Sequence, residues 1–396
     1  MECEAQRNQG STDIPVCAEG GVNIRADRNV RATLEDAAYL QSQIITYIGN
    51  KRALLPFIGE GLGIVKRRLG KNKLRSLDLF SGTGIVARYL KQHSAHIIAN
   101  DLENYSRITN ECYLSNASAV DPGALQSLAA ELRRAVENNL APGFITELYA
   151  PRDEDSITPQ DRCFYTRRNA QFLDTARQQI AALPADMQKY FLAPLIARAS
   201  VHANTSGVFK GFYKNKNRVG EFGGHAKNAL SRILGKIEID TPVFSRFECD
   251  FSVMQGDANT IIDDIAEVDI AYLDPPYNQH PYGSNYFMLN LLADYERPAK
   301  ISKISGIPTN WKRSAYNLKT EAENALLNLV ARCKAKFILI SYNSEGFISR
   351  EGFINALEKC GKLTVLETKY NTFRASRNLG NRSKHVREFL YLLEKQ

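Results

Sequence analysis

Residues 74–101 constrain this chain more than any other segment. Residues 74–80 (LRSLDLF) read as a short buried strand, Ser81-Gly82-Thr83-Gly84 as a tight turn, residues 85–93 as a helix and residues 96–99 (HIIA) as a second strand ending at Asn100-Asp101. A strand, glycine turn, helix and strand in that order open a doubly wound α/β sheet. Further strand signals fall at residues 247–254, 268–273, 336–341, 363–368 and 387–393.

Residues 116–245 interrupt this pattern. They begin helical and alanine-rich and continue through a Gly/Asn/Lys-rich stretch at 204–227. The expected organisation is a polar extension over 1–40, a catalytic cofactor-binding domain over 41–115 and 246–396, and an inserted target-recognition region over 116–245. A chain of 396 residues with 44% hydrophobic and 24% charged residues is an ordinary globular one, which excludes a mostly disordered protein. No apolar run approaches the ~18 residues of a membrane helix, and residues 1–20 lack the pattern of a secretory signal. The seven cysteines include no Cys-x-x-Cys pair, so reduced thiols, no metal site and a cytoplasmic location are expected.

The glycine turn has a chemistry. Glycine lets backbone approach a ligand, and the following helix start offers free N–H groups. Asp101 lies seventeen residues past Gly84, at a strand end where a carboxylate can hold ribose hydroxyls. The loop alone also fits a nicotinamide oxidoreductase. Asp78, just before the turn, leans the other way: a carboxylate sits badly beside pyrophosphate and well beside a cationic cofactor such as S-adenosylmethionine.

The second motif is Asp274-Pro275-Pro276-Tyr277, directly after the apolar run 268–273. Prolines have no N–H, so the tetrad presents a carboxylate, rigid carbonyls and a flat ring. Those groups suit a planar exocyclic amine. Two hydrogen bonds from an adenine N6 to Asp274 and the Pro275 carbonyl would favour a pyramidal nitrogen and free its lone pair for methylation.

Taken together, Tyr47-Ile48-Gly49-Asn50-Lys51, Asp78-Leu79-Phe80-Ser81-Gly82-Thr83-Gly84 and Asp274-Pro275-Pro276-Tyr277 resemble, in that order, the Dam-like alpha class of adenine-specific DNA methyltransferases. The similarity extends to Ser341-Tyr342-Asn343-Ser344-Glu345-Gly346 and Phe373-Arg374-Ala375-Ser376-Arg377. It implies a Rossmann-like methyltransferase fold: a mixed, mostly parallel sheet with a C-terminal hairpin. It implies that Tyr47 and Lys51 border the methionine end of S-adenosylmethionine, that Asp78, Phe80, Gly82 and Gly84 cradle it, that Asp101 holds its ribose and that Asp257 contacts its adenine. Asp274 would touch cofactor and target amine, with Pro275 and Pro276 beside it and Tyr277 stacked on the target base. Many enzymes of that class are paired with type II restriction endonucleases, so a cognate endonuclease is an expected partner; a monomer in solution is expected as well.

Double-stranded DNA as substrate needs a basic surface, because the base must leave the helix. The net charge is +8. Between Thr205 and Lys236 seven basic residues, among them Lys210, Lys214, Lys216 and Arg218, face one acid, with Phe209, Phe212, Tyr213 and Phe222 interleaved. Such groups bind phosphates and wedge or read bases. Arg374, Arg377, Arg382 and Lys384 form a second basic stretch without acids. The rivals are an RNA adenine methyltransferase, the nicotinamide enzyme, and a catalytically silent nucleic-acid-binding module.

Overall fold

The structure is a computed structural model that describes residues 35–371 and 385–395. Seven strands form one sheet: β1 (Leu74–Asp78), β2 (Ser94–Asp101), β3 (Asp250–Gln255), β4 (Val268–Leu273), β5 (Ala335–Asn343), β6 (Gly361–Asn371) and β7 (His385–Lys395). Their order is β3-β2-β1-β4-β5-β7-β6. Pairs among β1 to β5 are parallel, whereas β7 runs antiparallel to β5 and forms a hairpin with β6. This is the Rossmann-like methyltransferase architecture, with its terminal hairpin.

The strands are apolar on both faces because both are covered. In β4, Ile270 and Tyr272 face one layer while Ala271 and Leu273 face the other. The helix Leu55–Leu69, with Pro56 in its first turn and left-handed Gly70 at its end, packs with the helix Ile85–Lys91 on one side. The helices Ala322–Arg332 and Arg350–Leu357 cover the other. Among the described residues no helix is long and apolar enough to cross a membrane.

The chain between β2 and β3 builds a third core, largely helical. Its buried residues include Leu132, Phe172 and Ile196, and also Tyr105 and Ile108 from before the interruption and Phe287, Met288, Leu289, Leu291 and Leu292 from after it. The described residues from Glu35 onward form one compact unit. The folded part begins earlier than residue 41: a short helix Ala37–Gln41, capped by Asp36, buries Tyr39, whose hydroxyl donates to the Tyr113 carbonyl at 2.6 Å.

The sheet order fixes where chemistry can occur. From β1 the chain first builds outward through β2 and β3, then resumes on β1's other side with β4. Ligands bind beyond the strand ends at such a reversal. Asp78 and Tyr272 are register partners across it, so the turn after β1 and the tetrad after β4 emerge side by side.

Candidate active site

The glycine turn is pinned from two directions. Gly84 N–H donates to the Ser81 carbonyl at 2.7 Å, and Ser81 N–H to Asn100 at the end of β2 at 2.9 Å. Gly82 and Gly84 have φ of +51° and +74°. A Cβ on Gly84 would stand 2.9 Å from Asn110 Oδ1, so both conformation and space demand glycine there. Asp101 Oδ2 accepts from Gly82 N–H at 2.8 Å, and Oδ1 from Glu103 N–H at 2.9 Å. Asp101 therefore also holds the loop's shape.

A cavity opens over these elements. Tyr47, Lys51, Asp78, Phe80, Gly82, Asp101, Asp257, Asp274 and Pro276 line it. Gly84 does not; it makes the turn. Phe80 meets Tyr316 edge to face at 5.1 Å. Tyr47 stacks on Tyr286 at 4.2 Å and Tyr282 at 4.9 Å, and its hydroxyl lies 2.9 Å from that of Tyr105. Asp257 caps the helix Ala258–Ile261 through Asn259 N–H.

The electrostatics of the cavity are one-sided. Five carboxylates (Asp78, Asp101, Glu103, Asp257 and Asp274) line it against two lysines, Lys51 and Lys312. Asp78 is fully buried, and its oxygens make no close hydrogen bond among the described residues; the Ala87 N–H of the following helix eases its charge only slightly. Burial, then the charges of Asp274 and Asp101, push its pKa well up. Burial also raises Asp101, against the N–H groups it accepts, and lifts Glu103 to about 7 with help from Asp101. An orphaned buried carboxylate wants a donor, preferably a cation. A pyrophosphate would meet repulsion here. A sulfonium with an ammonium group fits the same wall, and S-adenosylmethionine carries both.

Asp274 lines this cavity, and a second cavity adjoins it. Tyr47, Gly49, Asn50 and Lys51 line both cavities, and the second is further walled by Tyr277, Asn343, Glu388 and Gly207. Tyr277 stands edge-on to Tyr342 at 6.0 Å, and Phe347 N–H donates to its carbonyl at 3.1 Å. Pro275 is buried and lines neither cavity. Lys51 Nζ lies 3.2 Å from Asp274 Oδ1 and 2.9 Å from Glu388 Oε1. Burial disfavours that ammonium, but Asp274 and Glu388 outweigh it and hold its pKa well above the ordinary lysine value. Burial lifts Asp274 to about 6; Lys51 opposes the rise and Glu388 adds to it.

The basic insert reaches this side of the molecule. Lys210 Nζ lies 3.3 Å from Nδ1 of His280, just beyond the tetrad, and Phe209 N–H donates to the Asn285 carbonyl. Lys214, Lys216 and Arg218 are exposed on a narrow turn closed by a Lys214–Gly220 bridge. Two expectations need correction. Phe209 and Phe212 are core residues packed around Phe164, unavailable to bases. Arg232, another of the seven basic residues between Thr205 and Lys236, donates to the carbonyls of Val201, Ala203 and Thr205, and clasps the chain instead of facing outward. Arg374, Arg377, Arg382 and Lys384 lie outside the described residues.

Sequence reading missed Glu103, Lys312 and Glu388. Glu103, two residues past Asp101, was within reach of the same strand-end argument. Glu388 leaves a fainter trace, an acid opening the apolar run Phe389–Leu393. Lys312 enters from a loop after the helix Phe287–Asp294 and donates to the Leu102 carbonyl at 3.0 Å.

A mostly parallel sheet with a terminal hairpin, a glycine turn over an acidic cavity and an acceptor-rich tetrad at its edge define a methyltransferase. More particularly, the chain belongs to the D12 class N6 adenine-specific DNA methyltransferases, whose family model matches residues 47–355. It is 30% identical over 361 residues to the type II methyltransferase M.NlaIII of Neisseria lactamica, covering 89% of this chain and 99% of that protein. It is 28% identical to the type II methyltransferase M.CviAII of Paramecium bursaria Chlorella virus 1, over 88% of this chain and 98% of that protein. Modification methylase StsI of Streptococcus sanguinis is also 28% identical, over 88% of this chain and 52% of its own length. The protein is an adenine-specific DNA methyltransferase, and neither the RNA enzyme nor the oxidoreductase is favoured.

Proposed function

We propose that the enzyme takes its methyl group from S-adenosylmethionine and works on an adenine swung out of duplex DNA. The cofactor would lie in the acidic cavity, held by Asp78, Phe80, Gly82, Asp101 and Asp257 beneath Tyr47. When bound, it supplies an electrophilic methyl on a sulfonium. The flipped base would enter the second cavity against Tyr277. Asp274 is the observation that carries this reading. It lines the first cavity, with Oδ1 taken by Lys51, which lines both cavities, and its side chain is still 18% exposed.

The chain's own contribution is orientation. The Asp274 carboxylate and the Pro275 carbonyl accept the two N6 hydrogens and draw the nitrogen toward a pyramidal shape. Tyr277 fixes the ring plane. As the nitrogen acquires its fourth substituent it becomes more acidic, and Asp274, lifted toward neutrality, is a suitable acceptor for the proton it sheds.

Residues 116–245 would supply target recognition, with Lys210, Lys214, Lys216 and Arg218, and Arg374, Arg377, Arg382 and Lys384, on phosphates. The type II names of the relatives support a modification role. The enzyme would act in the cytoplasm as a monomer, alongside a restriction endonuclease of the same specificity. Methyl incorporation from labelled S-adenosylmethionine, with duplex DNA and RNA in parallel, tests the reading. Label in duplex DNA that disappears in Asp274→Ala supports it; label in RNA alone refutes it.

A further inference from the structure

Three ionised groups meet behind the tetrad in a nearly dry place. Lys51 is 5% exposed and Glu388 2% exposed. Glu388 Oε1 accepts from Lys51 Nζ at 2.9 Å and from Ser341 Oγ at 2.8 Å. Their sequence positions are remote: Lys51 precedes the helix Leu55–Leu69, Ser341 is on β5 and Glu388 on β7. A buried ion triad is a poor way merely to stabilise a fold, since apolar residues of similar volume do as well or better. This one lies in the wall where the two cavities meet, and Lys51 touches Asp274 with the same ammonium that Glu388 grips.

We infer that Glu388 is a positioning residue for methyl transfer: it fixes Lys51 so that the ammonium occupies one oxygen of Asp274 and leaves the other for the target amine. The inference rests on the role given above to Asp274. Its logic is geometric. A carboxylate with both oxygens open can rotate and share its lone pairs; one anchored at Oδ1 offers a single acceptor in a fixed direction. An ammonium held by Asp274 alone would swing with it. Held by Glu388, itself tied to Ser341 and sitting opposite Asn343 in the β5–β7 register, it becomes a fixed point.

The charge of Glu388 also acts on Asp274. The groups facing Asp274 are Lys51, Glu388, Asp78, Tyr272, Tyr277 and Tyr282. Only Lys51 among them is cationic. Removing the negative charge of Glu388 leaves Lys51 to Asp274 alone and eases ionisation of Asp274, so the acid limb of the rate moves to lower pH.

Full-length Glu388→Gln, Ser341→Ala and Asp274→Asn, compared with the wild type in single-turnover methylation of duplex DNA from pH 5 to 8, provide the test. Cofactor affinity is measured by calorimetry. In Glu388→Gln the rate falls about tenfold or more, as for a lost charge-assisted hydrogen bond, and the acid limb shifts downward, with S-adenosylmethionine affinity unchanged. Ser341→Ala, a milder change that keeps all three charges, loses rate severalfold without loss of cofactor affinity. Should Glu388→Gln not fold, the Ser341→Ala result decides. An unchanged rate, an unmoved acid limb or a parallel loss of cofactor binding overturns the inference. An active Asp274→Asn instead sinks the reading of the site itself, whatever Glu388 does.

Discussion

Replacing Asp274 by asparagine should inactivate the enzyme and stabilise its fold. The magnitude follows from where the carboxylate sits. Burial raises its pKa from the ordinary 3.8 to about 6, with Lys51 opposing and Glu388 adding to the rise. For an acid, a raised folded-state pKa means that the folded chain binds the proton more tightly than the unfolded chain. Stability is therefore full below pH 3.8, falls as pH rises toward 6, and is fully diminished above it. At about 1.36 kcal/mol per tenfold change in the ionisation constant, the ionised side chain costs about 3 kcal/mol at pH 8. Asparagine resembles the protonated acid in shape and carries no charge. Lys51 keeps Glu388 at 2.9 Å, so no ammonium is orphaned. Urea unfolding should show Asp274→Asn more stable by about 3 kcal/mol at pH 8 and by roughly half that at pH 5. Methylation should fall about a hundredfold or more as the acceptor charge disappears. A variant that is less stable at pH 8, shows the same difference at both pH values, or methylates at the wild-type rate would refute the reasoning.

Other outcomes follow from the same geometry. Wild-type methylation should decline as pH falls through about 6, where Asp274 takes up its proton, in a rate-against-pH profile at saturating substrates. Asp78→Asn should weaken S-adenosylmethionine binding about tenfold or more by calorimetry, since the orphaned carboxylate would lose a charge-assisted hydrogen bond to the cofactor's cationic end. Gly84→Ala should cost roughly 1–3 kcal/mol in urea unfolding, from its φ of +74° and the crowding of Asn110 Oδ1. Lys210→Ala, which leaves the core intact, should weaken DNA binding about equally for all sequences and reduce the slope of log affinity against log salt by about 1.

Much of the sheet was legible because parallel strands covered on both faces read as continuous apolar runs. The runs at 268–273 and 74–80 match β4 and β1, apart from Leu79 and Phe80, which belong to the turn. Strand ends were less legible. β5 reaches Asn343 and β6 runs from Gly361 to Asn371, because hairpin pairing with β7 extends through polar residues that carry no apolar signal. The glycine turn and the tetrad were legible because their chemistry is local, four to seven consecutive residues with unusual backbone demands. Glu388 was not, since its meaning comes from Lys51 and Ser341, which the fold alone brings to it. Phe209 and Phe212 misled for the same reason. In sequence they alternate with lysines, yet the chain turns them inward onto Phe164 and Phe287 and leaves the lysines outside.

The central claim concerns which atom is methylated, and from which donor. The purified enzyme should be incubated with methyl-labelled S-adenosylmethionine and mixed-sequence duplex DNA, and the DNA then digested to nucleosides for mass spectrometry. The account predicts label in N6-methyl-2′-deoxyadenosine. Label on cytosine, or none in DNA while RNA nucleosides acquire it, would contradict it.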